Sequence, residues 1–180
     1  MTLHQRHALS ATALIFATLG LTACGNKDAA PAASGEVTIK IGHAAPLTGP
    51  QAHLGKDNEN GAVMAIDELN SRGLTIGGSK AKFVLISEDD QADPKAGTTV
   101  AQKFVDQKVN GVIGHLNSGT TIPASRIYSD AGIPQISGSA TNPTYTQQGF
   151  KTTFRVFAND VHQGQALAQF ATQSLKAKTI

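Results

Sequence analysis

The feature that most constrains this chain is an alternation of two hydrophobic periods. Short apolar stretches of strand length are each followed by a longer stretch whose apolar residues recur at helical spacing. Val37, Ile39 and Ile41 alternate with polar residues and run into His43-Ala44-Ala45, which predicts a strand. Pro46 to Gly55, carrying Gly49-Pro50, predicts a loop. From about Lys56 to Ser71, Ala62, Val63, Ile66 and Leu69 share a helical face, and Arg72-Gly73 ends that helix. Gly77-Gly78 turns the chain into a second strand, Ala81 to Glu88. Asp93-Pro94 is an N-cap followed by proline at the first helical position, and Val100, Ala101, Phe104 and Val105 form the apolar face behind it. Gly111 to Gly114 is a short buried strand, Thr121 to Ala131 a helix, and Gln135 to Ser137 the next strand. Thr153 to Phe157 and Val161 to Leu175 repeat the strand and helix pattern, and Lys178-Thr179-Ile180 resembles the entry to a further strand. Strands alternating with helices imply parallel βαβ units, and so an α/β fold with an open, twisted sheet covered on both faces.

The region before Val37 has a different character. Arg6 and His7 precede an uncharged apolar run from Ala8 to Leu21, and small residues lead to Cys24. A basic start, a short apolar core and small residues at the cut describe a secretory signal over residues 1–23. Leu21-Thr22-Ala23-Cys24 also resembles the lipobox of bacterial lipoproteins, which makes Cys24 the expected lipidation site and membrane anchor. The alternatives are a plain signal peptide with an incidental cysteine, or a retained anchor helix. Residues 24–36, rich in alanine with Pro31 and Ser34, form a flexible tether. Cys24 is the only cysteine, so lipidation leaves the domain with no thiol, no disulfide and no zinc–cysteine site.

Composition narrows the function classes. The 180 residues suffice for about one ordinary domain, and 40% hydrophobic with 16% charged residues fits a globular chain. The net charge is +2, and the basic residues form no arginine-rich run, so nucleic acid is not an expected partner. No G-x-S-x-G, P-loop or G-x-G-x-x-G motif is present. The six histidines, His4, His7, His43, His53, His115 and His162, show no metal-ligand spacing, so neither metal nor cofactor is expected. His115 beside Ser118 invites a catalytic reading, but a strand-end histidine is more often a hydrogen-bonded structural residue. Glu88-Asp89-Asp90 is expected to be solvated or to cap the following helix.

Ligands of open α/β sheets sit at the carboxyl ends of the strands, and two such ends here are rich in small polar residues. One is His115 to Thr121, before a helix whose first amides suit a carboxylate; Ser118 or Thr120 could equally serve only as a cap. The other is Ser137-Gly138-Ser139-Ala140-Thr141, where small residues let a ligand approach the backbone, or which is simply a polar loop.

Several segments, in order, resemble the periplasmic leucine/isoleucine/valine-binding proteins of ABC transporters, which have the type I periplasmic binding fold. These are Ile41 to Pro50, Gly61 to Gly73, Asp89 to Pro94, Gly111 to Leu116, Pro123-Ala124-Ser125, Tyr128, Gly132-Ile133-Pro134, Ser137 to Pro143, Phe154-Arg155 and His162-Gln163-Gly164. The resemblance covers nearly everything from Val37 onward. It implies two Rossmann-like lobes that trap a free amino acid, branched-chain or related, and deliver it to the permease; it implies no enzyme. Residues 37–157 would be the first lobe, and 158–180 the hinge crossover and first helix of a second lobe that is otherwise missing. It further implies that Ser118 and Thr141 grip the α-carboxylate, that the Ser139 carbonyl and the Thr141 hydroxyl meet the α-ammonium, and that Ala140 lines the site. Relatives often place an aromatic side chain where Leu54 stands, and some join the positions of Ala92 and Asn117 by a disulfide that this sequence cannot form. The ammonium's acidic partner would lie in the missing lobe. The same fold serves receptors and amide sensors, so a ligand-sensing module is the alternative function.

Overall fold

The computed structural model describes residues 35–179. The signal, Cys24 and nearly all of the tether lie outside the described residues. In chain order the elements are β1 (Glu36–Ala45), α1 (Ala52–Ser71), β2 (Thr75–Ile76), β3 (Ser79–Asp89), α2 (Pro94–Asp106), β4 (Gly111–Gly114) and α3 (Ser118–Asp130). They continue with β5 (Gln135–Ser137), α4 (Thr144–Gln147), β6 (Thr153–Arg155), α5 (Asp160–Gln169) and a π-helical turn, Phe170–Ser174. One six-stranded sheet runs β2-β3-β1-β4-β5-β6. Every pairing is parallel except β2 with β3, a tight hairpin whose turn residues Gly77 and Gly78 both have positive φ.

The α/β alternation is therefore as expected, while several boundaries move for physical reasons. Helix α1 starts at Ala52 rather than near Lys56, because Gly55 is a helix residue and not part of the loop. A Cβ on Gly55 would stand 1.9 Å from the Pro46 carbonyl oxygen, so only glycine lets α1 approach the end of β1 this closely. Helix α3 starts at Ser118 rather than Thr121, since the Thr120 and Thr121 amides already donate to Asn117 O. Strand β6 stops at Arg155, and the last helix gives way to a π turn at Phe170. Lys178 and Thr179 belong to no regular element. Two elements escaped the sequence reading because they are too short for a period: β2, of two residues, and α4, of four.

The main core lies between the sheet and the α2–α3 pair. Ala44, Val100, Ala101, Phe104, Val112, Ala124 and Tyr128 are all buried there. Helix α1 covers the opposite face with Ala62 and Ile66. Its Asn70 side chain accepts from Phe83 N at 2.8 Å and donates to Phe83 O at 2.9 Å, which continues the ladder on the flank of β3 beyond β2. The expectation of a sheet covered on both faces fails over β5 and β6. Ile136 is 42% exposed and Phe154 48%, whereas Gln135, Ser137 and Thr153, pointing to the other face, are buried.

Candidate functional site

From β1 the chain crosses to β3 on one side, and the next connection passes back over β1 to β4 on the other. The strand order thus reverses between β1 and β4, and their carboxyl ends open a crevice of the kind in which ligands of such sheets bind. The loop after β1 leads to the start of α1, and the loop after β4 leads to the start of α3. A hydrogen bond joins these two entries, Asn117 Nδ2 donating to Gln51 Oε1 at 2.8 Å. Neither helix carries an acidic residue in its first turn, so both present an undiluted partial positive charge to the crevice. The first amides of α3, those of Ser118 and Gly119, lie beyond the reach of intrahelical acceptors.

Three of the sequence-predicted polar residues meet here, with Ala140 between them. Ser118 does not cap α3; Asn117 holds the cap position, and the Thr120 and Thr121 hydroxyls fold back onto Asn117 O. Ser118 Oγ instead accepts from Asn142 N at 3.2 Å, which brings Thr141 alongside and leaves the Ser118 proton available to donate. Ser139 Oγ donates to Leu116 O at 2.9 Å, tying the loop after β5 to the loop after β4. Ala140 is fully buried, so its side chain is not part of an open wall; its amide donates to Ser137 Oγ at 2.9 Å. Among the described residues no hydrogen bond engages the amide or hydroxyl of Thr141, whose carbonyl accepts from Asp160 N. Leu54 sits in the first turn of α1, its amide donating to Gln51 O, and is 45% exposed at the same end of the sheet.

Beneath the crevice lies a buried polar layer that the sequence motifs did not disclose. His115, fully buried, has Nδ1 2.8 Å from Asp90 Oδ2 and Nε2 3.0 Å from the Tyr128 hydroxyl. Its carbonyl accepts from Thr121 Oγ1 and from Ser137 Oγ, both at 3.0 Å. His115 is thus a structural hub, as a strand-end histidine was expected to be, and Ser118 is not its partner. Burial, with the Asp90 charge adding to it, drives the Tyr128 hydroxyl far above the usual phenol range, so it stays protonated. The acidic run is neither freely solvated nor a helix cap, contrary to expectation. Glu88 pairs with Lys103, Asp89 accepts from Leu47 N and Thr48 Oγ1, and Asp90 holds His115, while Asp93 caps α2 through Ala96 N. Partial burial pushes the Asp89 carboxyl up, but the Thr48 hydroxyl and the Gln91 and Leu47 amides outweigh it and hold Asp89 below its ordinary range. Ala92 and Asn117, the pair for which the resemblance implied a disulfide in some relatives, are each held here by a hydrogen bond. Ala92 N donates to Asp90 Oδ1 at 3.0 Å, and Asn117 is held by Gln51.

Sequence reasoning gave Gln51 no role, and it noted the segments that hold Asp90, Tyr128, Ser137 and Arg155 without these contacts, because the partners His115, Asn117 and Asn142 stand 13 or more residues away in the chain. Among the described residues no three His, Cys, Asp or Glu side chains are grouped to hold a metal, and no helix is long and apolar enough to cross a membrane.

Comparison with known proteins agrees with this geometry. A family model described as periplasmic binding protein matches residues 38–180. The chain is 44% identical over 138 residues to the Leu/Ile/Val-binding protein homolog 1 of Brucella abortus (strain 2308), a match spanning 77% of this chain and 36% of the relative. It is 41% identical over 143 residues to the leucine-, isoleucine-, valine-, threonine-, and alanine-binding protein of Pseudomonas aeruginosa, spanning 79% of this chain and 38% of the relative. Among solved structures, the branched-chain amino acid transporter substrate binding protein of Streptococcus pneumoniae in complex with isoleucine superposes with a TM-score of 0.70 at 30% identity. That match covers 78% of this chain and 39% of the other. The six-stranded domain therefore corresponds to one lobe of such proteins, and the chain spans well under half of its relatives' length. The family is one of exported binding proteins rather than enzymes, and this chain belongs to the periplasmic binding protein family.

Proposed function

We propose that this chain supplies the first lobe, residues 37–157, of a two-lobe solute-binding protein that captures a free amino acid for an ABC transporter, with residues 158–180 crossing into the second lobe. The observation that carries this reading is the free amide and hydroxyl of Thr141. Neither has a hydrogen bond among the described residues, and the next residue, Asn142, donates its amide to the Ser118 hydroxyl at the start of α3, one strand from the reversal of strand order. Amide and hydroxyl donors at a helix N-terminus suit a carboxylate, and the Ser139 carbonyl offers an acceptor to an α-ammonium. These groups recognise the part common to all α-amino acids.

The side-chain preference falls to Leu54 and to the opposite lobe. Leu54 is apolar and accessible, which favours an aliphatic side chain, and the names of the relatives support leucine, isoleucine and valine. Without an aromatic ring at position 54 the pocket wall is less shape-selective, so smaller members such as alanine and threonine are expected to bind more weakly rather than be rejected. Lipidation of Cys24 would hold the protein at the membrane beside its permease.

Isothermal calorimetry of the protein with both lobes, against the amino acids one by one, tests the reading. Leucine, isoleucine and valine should bind. Thr141→Ala should weaken them by about 1–3 kcal/mol, as expected when a charged group loses a donor. No heat with any amino acid, or wild-type affinity in Thr141→Ala, would refute it. Metabolic labelling with a radioactive fatty acid, lost in Cys24→Ala, tests the anchor separately.

A further inference from the structure

Arg155 ends β6, and among the described residues no carboxylate pairs with it. Its guanidinium is instead used on the backbone of the loop after β5. Nη1 donates to Asn142 O at 3.0 Å and lies 3.5 Å from Ala140 O, a long contact, while Nη2 donates to Thr146 Oγ1 at 2.9 Å. The two carbonyls flank Thr141. From the other side, the buried Ser137 hydroxyl accepts from Ala140 N at 2.9 Å and Ser139 N at 3.3 Å. Loop residues Ser139, Ala140 and Asn142 thus each have a backbone group fixed by one of these two side chains, and the amide and hydroxyl of Thr141 are left over. The Thr141 carbonyl accepts from Asp160 N at 3.0 Å, at the first residue of α5. A loop held this way need not be ordered by the ligand, and immobilising it on binding costs less.

We propose that Arg155 is a positioning residue for ligand capture: it presets the Thr141 loop and fixes that loop to the end of β6, from which the chain leaves for α5. Two features make arginine the fitting residue. Its planar fork reaches two acceptors in different directions, which a lysine ammonium on a flexible stem cannot reproduce. Its unpaired charge also raises the local potential where the proposed reading places a carboxylate. The inference rests on that reading for its effect on affinity, but not for its effect on the loop.

The test uses the two-lobe protein in three variants. Arg155→Met should weaken leucine binding roughly tenfold to a hundredfold, the loss expected for charge-assisted donors. Arg155→Lys should recover part of this, having one donor group where arginine has a fork. Tyr145→Phe, which removes only the hydroxyl that donates to Gln135 O and keeps the Tyr145 amide on Asn142 O, should lower the thermal midpoint and leave affinity unchanged. Hydrogen exchange on the unliganded protein should show faster exchange at the Ala140 and Asn142 amides, the residues whose carbonyls Arg155 reaches, in Arg155→Met and not in Tyr145→Phe. Wild-type affinity in Arg155→Met, or unchanged exchange at those amides, overturns the proposal. If the wild-type protein binds no amino acid the proposed function fails, and the exchange result alone still decides whether Arg155 holds the loop.

Discussion

His43 shows how one residue can place a condition on the whole lobe. It lies on β1, 1% exposed, and its Nδ1 has no hydrogen-bond partner. Desolvation by burial depresses its pKa below 6.5; Glu59 on α1 and Asp90 oppose this, and His115 and Lys56 add to it. The folded state therefore takes up a proton on His43 only at a lower pH than the unfolded chain, which does so near pH 6.5. Because the unfolded state then binds more protons, the stability from neutral His43 is fully present above about pH 6.5. It is lost progressively as pH falls from there toward the folded-state pKa. In His43→Leu, which keeps the apolar contacts of that sheet face and cannot titrate, this slope should vanish. Urea denaturation from pH 7.5 to 5 should show wild type losing stability relative to the variant only below about pH 6.5. Parallel curves across the range would mean that His43 is reached by water and carries no such penalty.

At the scale of elements, Asp93-Pro94 shows what could be read directly. An extended Asp whose carboxylate accepts from Ala96 N at 2.8 Å, followed by proline, is a local device, and the sequence displays all of it. Asp93→Ala should therefore cost about 0.5–2 kcal/mol, read from urea midpoints, with Asp93→Asn close to wild type. An equal loss in both variants would point to charge rather than to the cap. The starts of α1 and α3 were less legible for the opposite reason. Gly55 looks like a loop residue until the Pro46 carbonyl beside it is known, and Ser118 looks like a cap until Asn142 is seen to claim its oxygen. The proposed ligand groups were visible because they sit in two short polar runs at strand ends. Their supports, Ser137 and Arg155, stand in segments that were noted, but their supporting contacts were not legible. An arginine that donates to a backbone carbonyl 13 residues away leaves no period that reveals the contact.

The uncovered sheet face belongs to the molecule as a whole. Ile113, Ile136 and Phe154 are register partners across β4, β5 and β6 and share one face, which α1 leaves open over β5 and β6. Beside them an apolar groove of about 320 Å³ runs between that face and α1, lined by Ile41, Ala65, Ile66 and Leu69 among others. Helix α5 buries none of its residues, and Leu167, Phe170 and Leu175 are more than half exposed. The sheet face is apolar, contiguous and accessible, and monomeric proteins rarely present such a patch in water. Strand β6 is also an edge with no partner on its far side among the described residues, free to pair with another chain. A chain of residues 35–180 should therefore self-associate with rising concentration in sedimentation velocity and bind a hydrophobic dye. Ile136→Lys with Phe154→Lys should suppress both effects, because the charges fall where no described neighbour has to be desolvated, and far-ultraviolet circular dichroism should be unchanged. A wild-type chain that stayed monomeric and dye-free would overturn the reading of this face as an open apolar surface.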